Sequence, residues 1–422
     1  MEQTEPPKSR SKGEMELDRI SNLPNDVIDK ILSCLTLKEA VRTSVLSSMW
    51  KDKWAMLSGL VFDGKCFSTD NCETFVNIVY HVLLSHIGPI EKFVLSNTRR
   101  IPSRDIDRWI LHLSRNCIKV FELHWARYKM PLCFYSYQDM IELKLSWCLL
   151  KPPRTFNGFR TLKRVSFKFV TLARDVLENL ILSSPLLESL EIIKCAACTH
   201  LKIDAPNLRF LYFSGYLKGI SLQNTLNLAV VHFNLSNRYY RQDRVSSSNL
   251  ADFFMDLPHI QRLTIDGFSV QFLDVGDLSG RLLKPCLDLN FLSLLVYFHD
   301  PAQILTTLYL LRSSPALEVL HVEAHGDDEF SEDEFGADEE DSWLDDLDDD
   351  RNCSFPKLRL VQITHFSGCT AELDFIKLLL LKSPVLETIT IQAVSAYGSS
   401  EVFKKLLQLR RTSSAEIIYL DP

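Results

Sequence analysis

Apolar residues recur along this chain in triplets, with two residues between the first and second and one between the second and third. The triplets fall at Ile90-Phe93-Leu95, Ile118-Phe121-Leu123, Met140-Leu143-Leu145, Leu162-Val165-Phe167, Leu187-Leu190-Ile192 and Leu208-Leu211-Phe213. They continue at Leu228-Val231-Phe233, Ile260-Leu263-Ile265, Leu289-Leu292-Leu294, Leu317-Leu320-Val322, Leu358-Val361-Ile363 and Leu386-Ile389-Ile391, with Leu57-Leu60-Phe62 a candidate opening copy. Successive first positions from Ile90 lie 28, 22, 22, 25, 21, 20, 32, 29, 28, 41 and 28 residues apart. The last two positions of each triplet share one face of a short strand, because side chains alternate with a period of two. The residue between them faces the opposite way. That set includes Glu122, Lys144, Glu191, Tyr212, His232, Thr264, His321 and Gln362.

Between the strands, Leu177, Leu180 and Ile181, or Ile304, Leu305, Leu308 and Leu311, show helical spacing. Three such segments end in Ser183-Ser184-Pro185, Ser313-Ser314-Pro315 and Lys382-Ser383-Pro384. Proline lacks an N–H and excludes the α region before it, so each helix stops there. Strand, crossover helix and parallel strand, repeated at a period mostly near 20–29 residues, read as a right-handed α/β solenoid of leucine-rich repeats.

The first 60 residues follow another rhythm. Pro24 suits a first helical position and Asp26 complements the positive helix end. Val27, Ile28, Ile31, Leu32 and Leu35 then recur on one face. Thr36 and Glu39 make a capping box for a second helix carrying Ala40, Val41, Val45, Leu46, Met49 and Trp50, with Trp54 a turn further. Two helices this short cannot bury that many large apolar side chains between them. The surplus implies a permanent partner.

The net charge of −7 conceals an asymmetry: 15 acidic and no basic residues lie between Asp327 and Asp350, leaving 47 basic against 39 acidic elsewhere. The acidic segment falls in the longest gap between strands and has too few apolar residues to fold alone, so a mobile loop is expected over 326–351. The body shows no basic helix or aromatic-and-arginine module, so no nucleic acid is expected. No apolar run reaches the roughly 20 residues that span a bilayer, and the polar first 17 residues form a tail without a secretory signal. A cytoplasmic or nuclear protein follows. The eleven cysteines lack framework spacing and fit reduced thiols. Cys195 and Cys198 with nearby His200 lack a fourth ligand, so no metal is expected. Neither a phosphate loop nor a nucleophile elbow is present, and neither catalysis nor a cofactor is expected.

The run Asp18-Arg19-Ile20-Ser21-Asn22-Leu23-Pro24, then Val27-Ile28, Ile31-Leu32, Lys38 through Ser47 and Trp50, resembles the F-box of plant F-box/FBD/leucine-rich-repeat proteins. Phe355-Pro356-Lys357-Leu358, Ser383 through Glu387 and the closing Ala415 through Pro422 resemble the FBD module that ends such chains. Two positions depart from the pattern: Met49 replaces a basic residue, and Leu35-Thr36-Leu37 replaces Leu-Pro-Thr. The resemblance implies an F-box over 18–60, a leucine-rich-repeat solenoid over 61–325 and an FBD cap over 352–422. It also implies that Leu23, Pro24, Val27, Ile28, Ile31, Val41, Val45 and Trp50 form or back a face for a Skp-family adaptor, and through it a cullin. A protein target would lie on the concave sheet, at Glu122, Lys144, Glu191, Tyr212, His232 and His321. The role implied is the substrate-recognition subunit of an SCF-type ubiquitin ligase. A scaffold outside any ligase and a small-molecule co-receptor are the alternatives.

Overall fold

The computed structural model describes residues 23–64, 71–96, 101–196, 200–217, 219–235, 259–267, 286–325, 354–394 and 399–421. The expected tail over 1–17 and acidic loop over 326–351 lie outside them, as does Cys198. The chain divides into two compact units, one ending at Ile118 and one beginning at Lys119.

The first unit opens with α1 (Asn25–Ser33) and α2 (Leu37–Arg42). Pro24 stands one residue before the helix rather than inside it, and its carbonyl accepts the N–H groups of Val27 (3.0 Å) and Ile28 (3.1 Å). The capping box on α2 forms as read: the Thr36 N–H donates to Glu39 Oε2 at 2.9 Å, and the Glu39 N–H donates to Thr36 Oγ1 at 3.4 Å. The second helix is shorter than its apolar spacing suggests. It ends at Arg42 and tightens into a 3-10 turn over Thr43–Val45. Thr43 and Val45 are β-branched, and the Thr43 hydroxyl donates to the Ala40 carbonyl at 2.7 Å, so the side chain competes for the helix's own acceptor.

Beyond a second 3-10 turn (Lys53–Met56), β1 (Gly59–Asp63) pairs in parallel with β2 (Lys92–Ser96). Leu60 lies beside Phe93 and Phe62 beside Leu95, so Leu57-Leu60-Phe62 opens the repeats. The crossover is α3 (Cys72–Ser85), against which α4 (Ser103–Leu113) packs. Backbone bonds tie the second 3-10 turn and the residues before β1 to the segment that leads into β2. The Ala55 carbonyl accepts from Ile87 and Gly88, the Ser58 carbonyl from Glu91 and Lys92, and His86 Nε2 donates to the Leu57 carbonyl at 2.7 Å. Gly88 fits closely there: a Cβ would come within 3.1 Å of the Met56 carbonyl oxygen, tighter than most Cβ contacts.

The second unit is a parallel sheet in chain order, interrupted only where a crossover is itself a strand. Its members are β3 (Val120–Lys129), β4 (Glu142–Leu149), β5 (Arg164–Lys168), β6 (Ser189–Ile193), β8 (Phe210–Gly215) and β10 (Val230–Leu235). They continue through β11 (Arg262–Gly267), β12 (Phe291–Tyr297), β13 (Val319–His325), β14 (Leu360–Phe366), β15 (Thr388–Ala393) and β16 (Glu416–Leu420). All three residues of each triplet from Ile90 onward are at most 3% exposed. In register, Leu143, Val165, Leu190, Leu211, Val231, Leu263, Leu292, Leu320, Val361 and Ile389 form one continuous buried column. The architecture is an α/β solenoid.

Helical crossovers occur where the spacing allows them: α5 (Arg174–Leu182), α6 (Pro301–Arg312), α7 (Thr370–Lys382) and, before the last strand, α8 (Ser399–Gln408). The two shortest spacings, 21 and 20 residues, instead hold β7 (His200–Asp204) and β9 (Gly219–Gln223), which pair with each other. An extended chain advances about 3.3 Å per residue against about 1.5 Å in a helix, so fewer residues complete the return. The two 22-residue spacings are filled by aromatic rings: Phe134 lies 5.2 Å from Phe121 and 5.7 Å from Phe159 between centroids. The serine-proline punctuation caps α5, α6 and α7. In each case the serine before proline accepts, through its carbonyl, the N–H of the next triplet's first residue: Leu187 (3.1 Å), Leu317 (3.1 Å) and Leu386 (3.3 Å).

Candidate functional site

In the helical module, Ile28, Leu32, Ala40 and Trp50 form the core, with Leu23, Leu35, Trp54 and Leu57 packed around it. Ile28 (0% exposed) and Trp50 (2%) cannot present side chains to a partner; they back the face rather than form it. Leu23 is half-buried against the same core. What remains in water is Pro24 together with Val27, Ile31, Val41 and Val45, the last 87% exposed. Leu46 and Met49, both more than half exposed, join them. The sequence placed both on the second helix but not among the residues of the adaptor face. Its early end at Arg42 turns Trp50 inward and leaves Met49 outside.

On the sheet, the residues between the inward positions line up strand by strand. Glu122, Lys144, Ser166, Glu191, Tyr212, His232, Thr264, Ser293, His321 and Gln362 are register partners in that order. At about 4.8 Å per strand the column runs roughly 40 Å. Its two halves differ. Toward β3 the charges pair among themselves: Lys144 Nζ lies 2.7 Å from Glu142, Arg164 reaches the same carboxylate at 2.7 Å, and the Ser166 hydroxyl donates to Glu191 at 2.7 Å. Burial pushes the Glu142 carboxyl up, but its hydrogen bonds from Lys144 and Arg164 outweigh that and hold it below the ordinary range. The bond to Glu142 raises Lys144 in turn.

Toward β13 the column becomes aromatic. The Tyr212 and His232 rings sit 4.9 Å apart, and His232 Nε2 lies 3.1 Å from Asp266. Phe291, one position off the column, holds His321 edge-on at 5.0 Å and the Arg262 guanidinium over its face at 4.0 Å. Burial, and then the Arg262 charge, lower the His321 pKa. Arg262 and Phe291 escape the sequence pattern because they precede the triplet's second position. Tyrosine and arginine, both present on this face, are residue types enriched where interfaces are anchored.

Cys195 is half-buried and its thiol donates to the carbonyls of Phe167 (3.5 Å) and Ile193 (3.7 Å). Among the described residues, no cluster of histidine, cysteine or carboxylate side chains could hold a metal ion. No helix among them is long and apolar enough to cross a membrane.

The F-box domain model matches residues 20–61, and a leucine-rich-repeat domain model named for At1g61320/AtMIF1 matches residues 87–205. The chain is similar to the F-box/FBD/LRR-repeat protein At1g13570 of Arabidopsis thaliana, 38% identical over 89% of this chain and 91% of the relative. It also resembles the F-box/FBD/LRR-repeat protein At1g51370 of the same plant, 27% identical over 73% of this chain and 74% of that protein. A third, the putative F-box/FBD/LRR-repeat protein At1g66300, is 22% identical over 98% of this chain and 96% of its own length.

Proposed function

This chain belongs to the plant F-box/FBD/LRR-repeat family, and from that premise we propose that it is the substrate-recognition subunit of an SCF-type cullin ubiquitin ligase. The helical module docks a Skp-family adaptor, which joins it to the cullin. The solenoid holds a protein target along the column from Glu122 to Gln362. The chain works in the cytoplasm or nucleus and supplies no acid, base or nucleophile. It raises the effective concentration of a target lysine near the ubiquitin thioester, which is a proximity effect.

The observation that carries this reading is the apolar face of Val27, Ile31, Val41, Val45, Leu46 and Met49 inside the matched F-box. Fully burying an exposed side chain of this kind contributes roughly 1.5–3 kcal/mol, and the half-exposed ones contribute proportionately less, so it takes several together to sustain a complex. The residues proposed to touch the adaptor are Pro24, Val27, Ile31, Val41 and Val45, while Leu23, Ile28 and Trp50 support them from the core.

The test is adaptor capture by full-length chain carrying Ile31→Asp with Val45→Asp. Both residues are exposed, so the module still folds and circular dichroism should not change. Capture of adaptor and cullin is expected to disappear. Undiminished capture by a folded double variant refutes the assignment.

A further inference from the structure

Four consecutive repeats place a non-glycine residue in the left-handed backbone region just past the solvent-facing column: Arg127 (φ 57°), Trp147 (61°), Phe169 (53°) and Lys194 (49°). Trp147, Phe169 and Lys194 each follow their column residue (Lys144, Ser166, Glu191) by three positions, about 10 Å along the strand. Arg127 lies within the bulge of β3, between His124 and Tyr128. Left-handed backbone is uncommon for any side chain and an outlier for bulky ones. Such strain persists where the surroundings enforce it, and it clusters at functional sites.

Folding alone does not ask for these side chains. In the next repeat the position three after Tyr212 is Gly215 (φ 147°), and three after Gln362 it is His365 (φ 56°), so the position takes residues of different size. The four preceding repeats hold large side chains where glycine would serve.

Those side chains build one feature. The Trp147 and Phe169 rings stack at 4.0 Å with planes 6° apart, and Trp147 is 43% exposed. They line a cavity of about 460 Å³ together with Arg127, Lys194, Cys148 and Thr171. Both cations are exposed, and neither has a carboxylate partner among the described residues. Lys129 and Lys168 are exposed beside them. The result is a stacked aromatic pair between unneutralised positive charges, at the rim of the column.

We propose that this stripe is the anchor for an acidic peptide segment of the target, one aromatic side chain lying against Trp147 and flanking carboxylates meeting Arg127 and Lys194. The charge complementarity selects the carboxylates. The exposed indole supplies the apolar ground for the ring. Nucleic acid is disfavoured because the cations bracket the rings rather than track a continuous backbone. A free small anion is disfavoured because the cavity opens directly beside the roughly 40 Å column. The proposal rests on the target-binding reading only for the partner being a protein, and it is separable from adaptor docking.

The test uses full-length chain and a labelled ten-residue probe peptide with one tryptophan between two pairs of aspartates, read by fluorescence anisotropy. Binding is expected to weaken at least tenfold when the probe's tryptophan is replaced by alanine, and to weaken with salt. Trp147→Gly is the decisive variant, since glycine suits the left-handed backbone: circular dichroism should show the fold retained while probe binding falls at least tenfold. Arg127→Gln with Lys194→Gln should lower affinity about tenfold and flatten the salt dependence. Adaptor capture by all these variants should equal that of the parent chain, so a failed F-box assignment would show up separately. No binding at 1 mM probe (about the limit of a weak but specific peptide contact), unchanged binding by Trp147→Gly, or equal affinity for 2-naphthoate alone would each overturn the proposal.

Discussion

The carboxylate of Glu372 accepts both the N–H and the hydroxyl of Ser367, at 3.0 and 2.9 Å, from within the first turn of α7. The same oxygen takes the N–H groups of Gly368 (2.7 Å) and Cys369 (3.2 Å). One buried side chain thus satisfies the chain reversal that starts the helix between β14 and β15. Glu372→Ala removes one acceptor from four donors at once, and should cost about 1–3 kcal/mol. Urea titration followed by circular dichroism measures it. Glu372→Gln should fall in between, since its amide keeps an acceptor but sets its own N–H groups against donors.

Gly158 (φ 81°) lies directly under Ser183, the residue that caps α5. A Cβ at Gly158 would occupy the space of the Ser183 Cβ. Gly158→Ala should therefore destabilise by about 3 kcal/mol or more, through overlap and backbone strain together. Adding Ser183→Gly removes the overlap but not the strain, so the double variant should recover part of the loss. A thermal-melt double-mutant cycle would detect that coupling. Strict additivity would show that the contact contributes nothing.

The Glu39 carboxyl is held below the ordinary glutamate range, first by the Thr36 N–H and then by the Thr36 hydroxyl. A depressed folded pKa contributes stability that is present above the unfolded value and is lost as pH falls through the folded one. Carbon-detected NMR titration should place Glu39 below its unfolded value. Thr36→Val removes the hydroxyl but keeps the N–H, so the titration should move up toward the ordinary range without reaching it.

Burial pushes the Cys148 thiol up to about 12 and that of Cys286 to about 11. The thiolate is the reactive form, so both buried thiols are poor nucleophiles at pH 8. Brief native alkylation at pH 8 followed by peptide mass spectrometry should modify exposed Cys34 and Cys117 and spare Cys148 and Cys286. Unfolding in urea before alkylation should make all of them react.

Much of this architecture follows from chain periodicity alone. Inward positions alternate with a period of two, and each repeat can bury them only against its neighbours, so the triplets fix strand placement, register and the outward column. Serine before proline fixes the ends of three helices for an equally local reason. The Thr36 and Glu39 cap is local too.

What periodicity could not decide was set by packing. Apolar spacing alone cannot distinguish Trp50, which turns into the module's core, from Val45, which stays in water; the early end of α2 separates them. The strand crossovers β7 and β9 arise because short repeats must return in fewer residues than a helix needs. The left-handed residues from Arg127 to Lys194 carry no signature in residue type, since nothing about tryptophan or phenylalanine announces a positive φ. Only the stacking of successive strands gathers these distant residues into one stripe. The repeating frame is a property of the sequence, and the surfaces it offers to partners are a property of the fold.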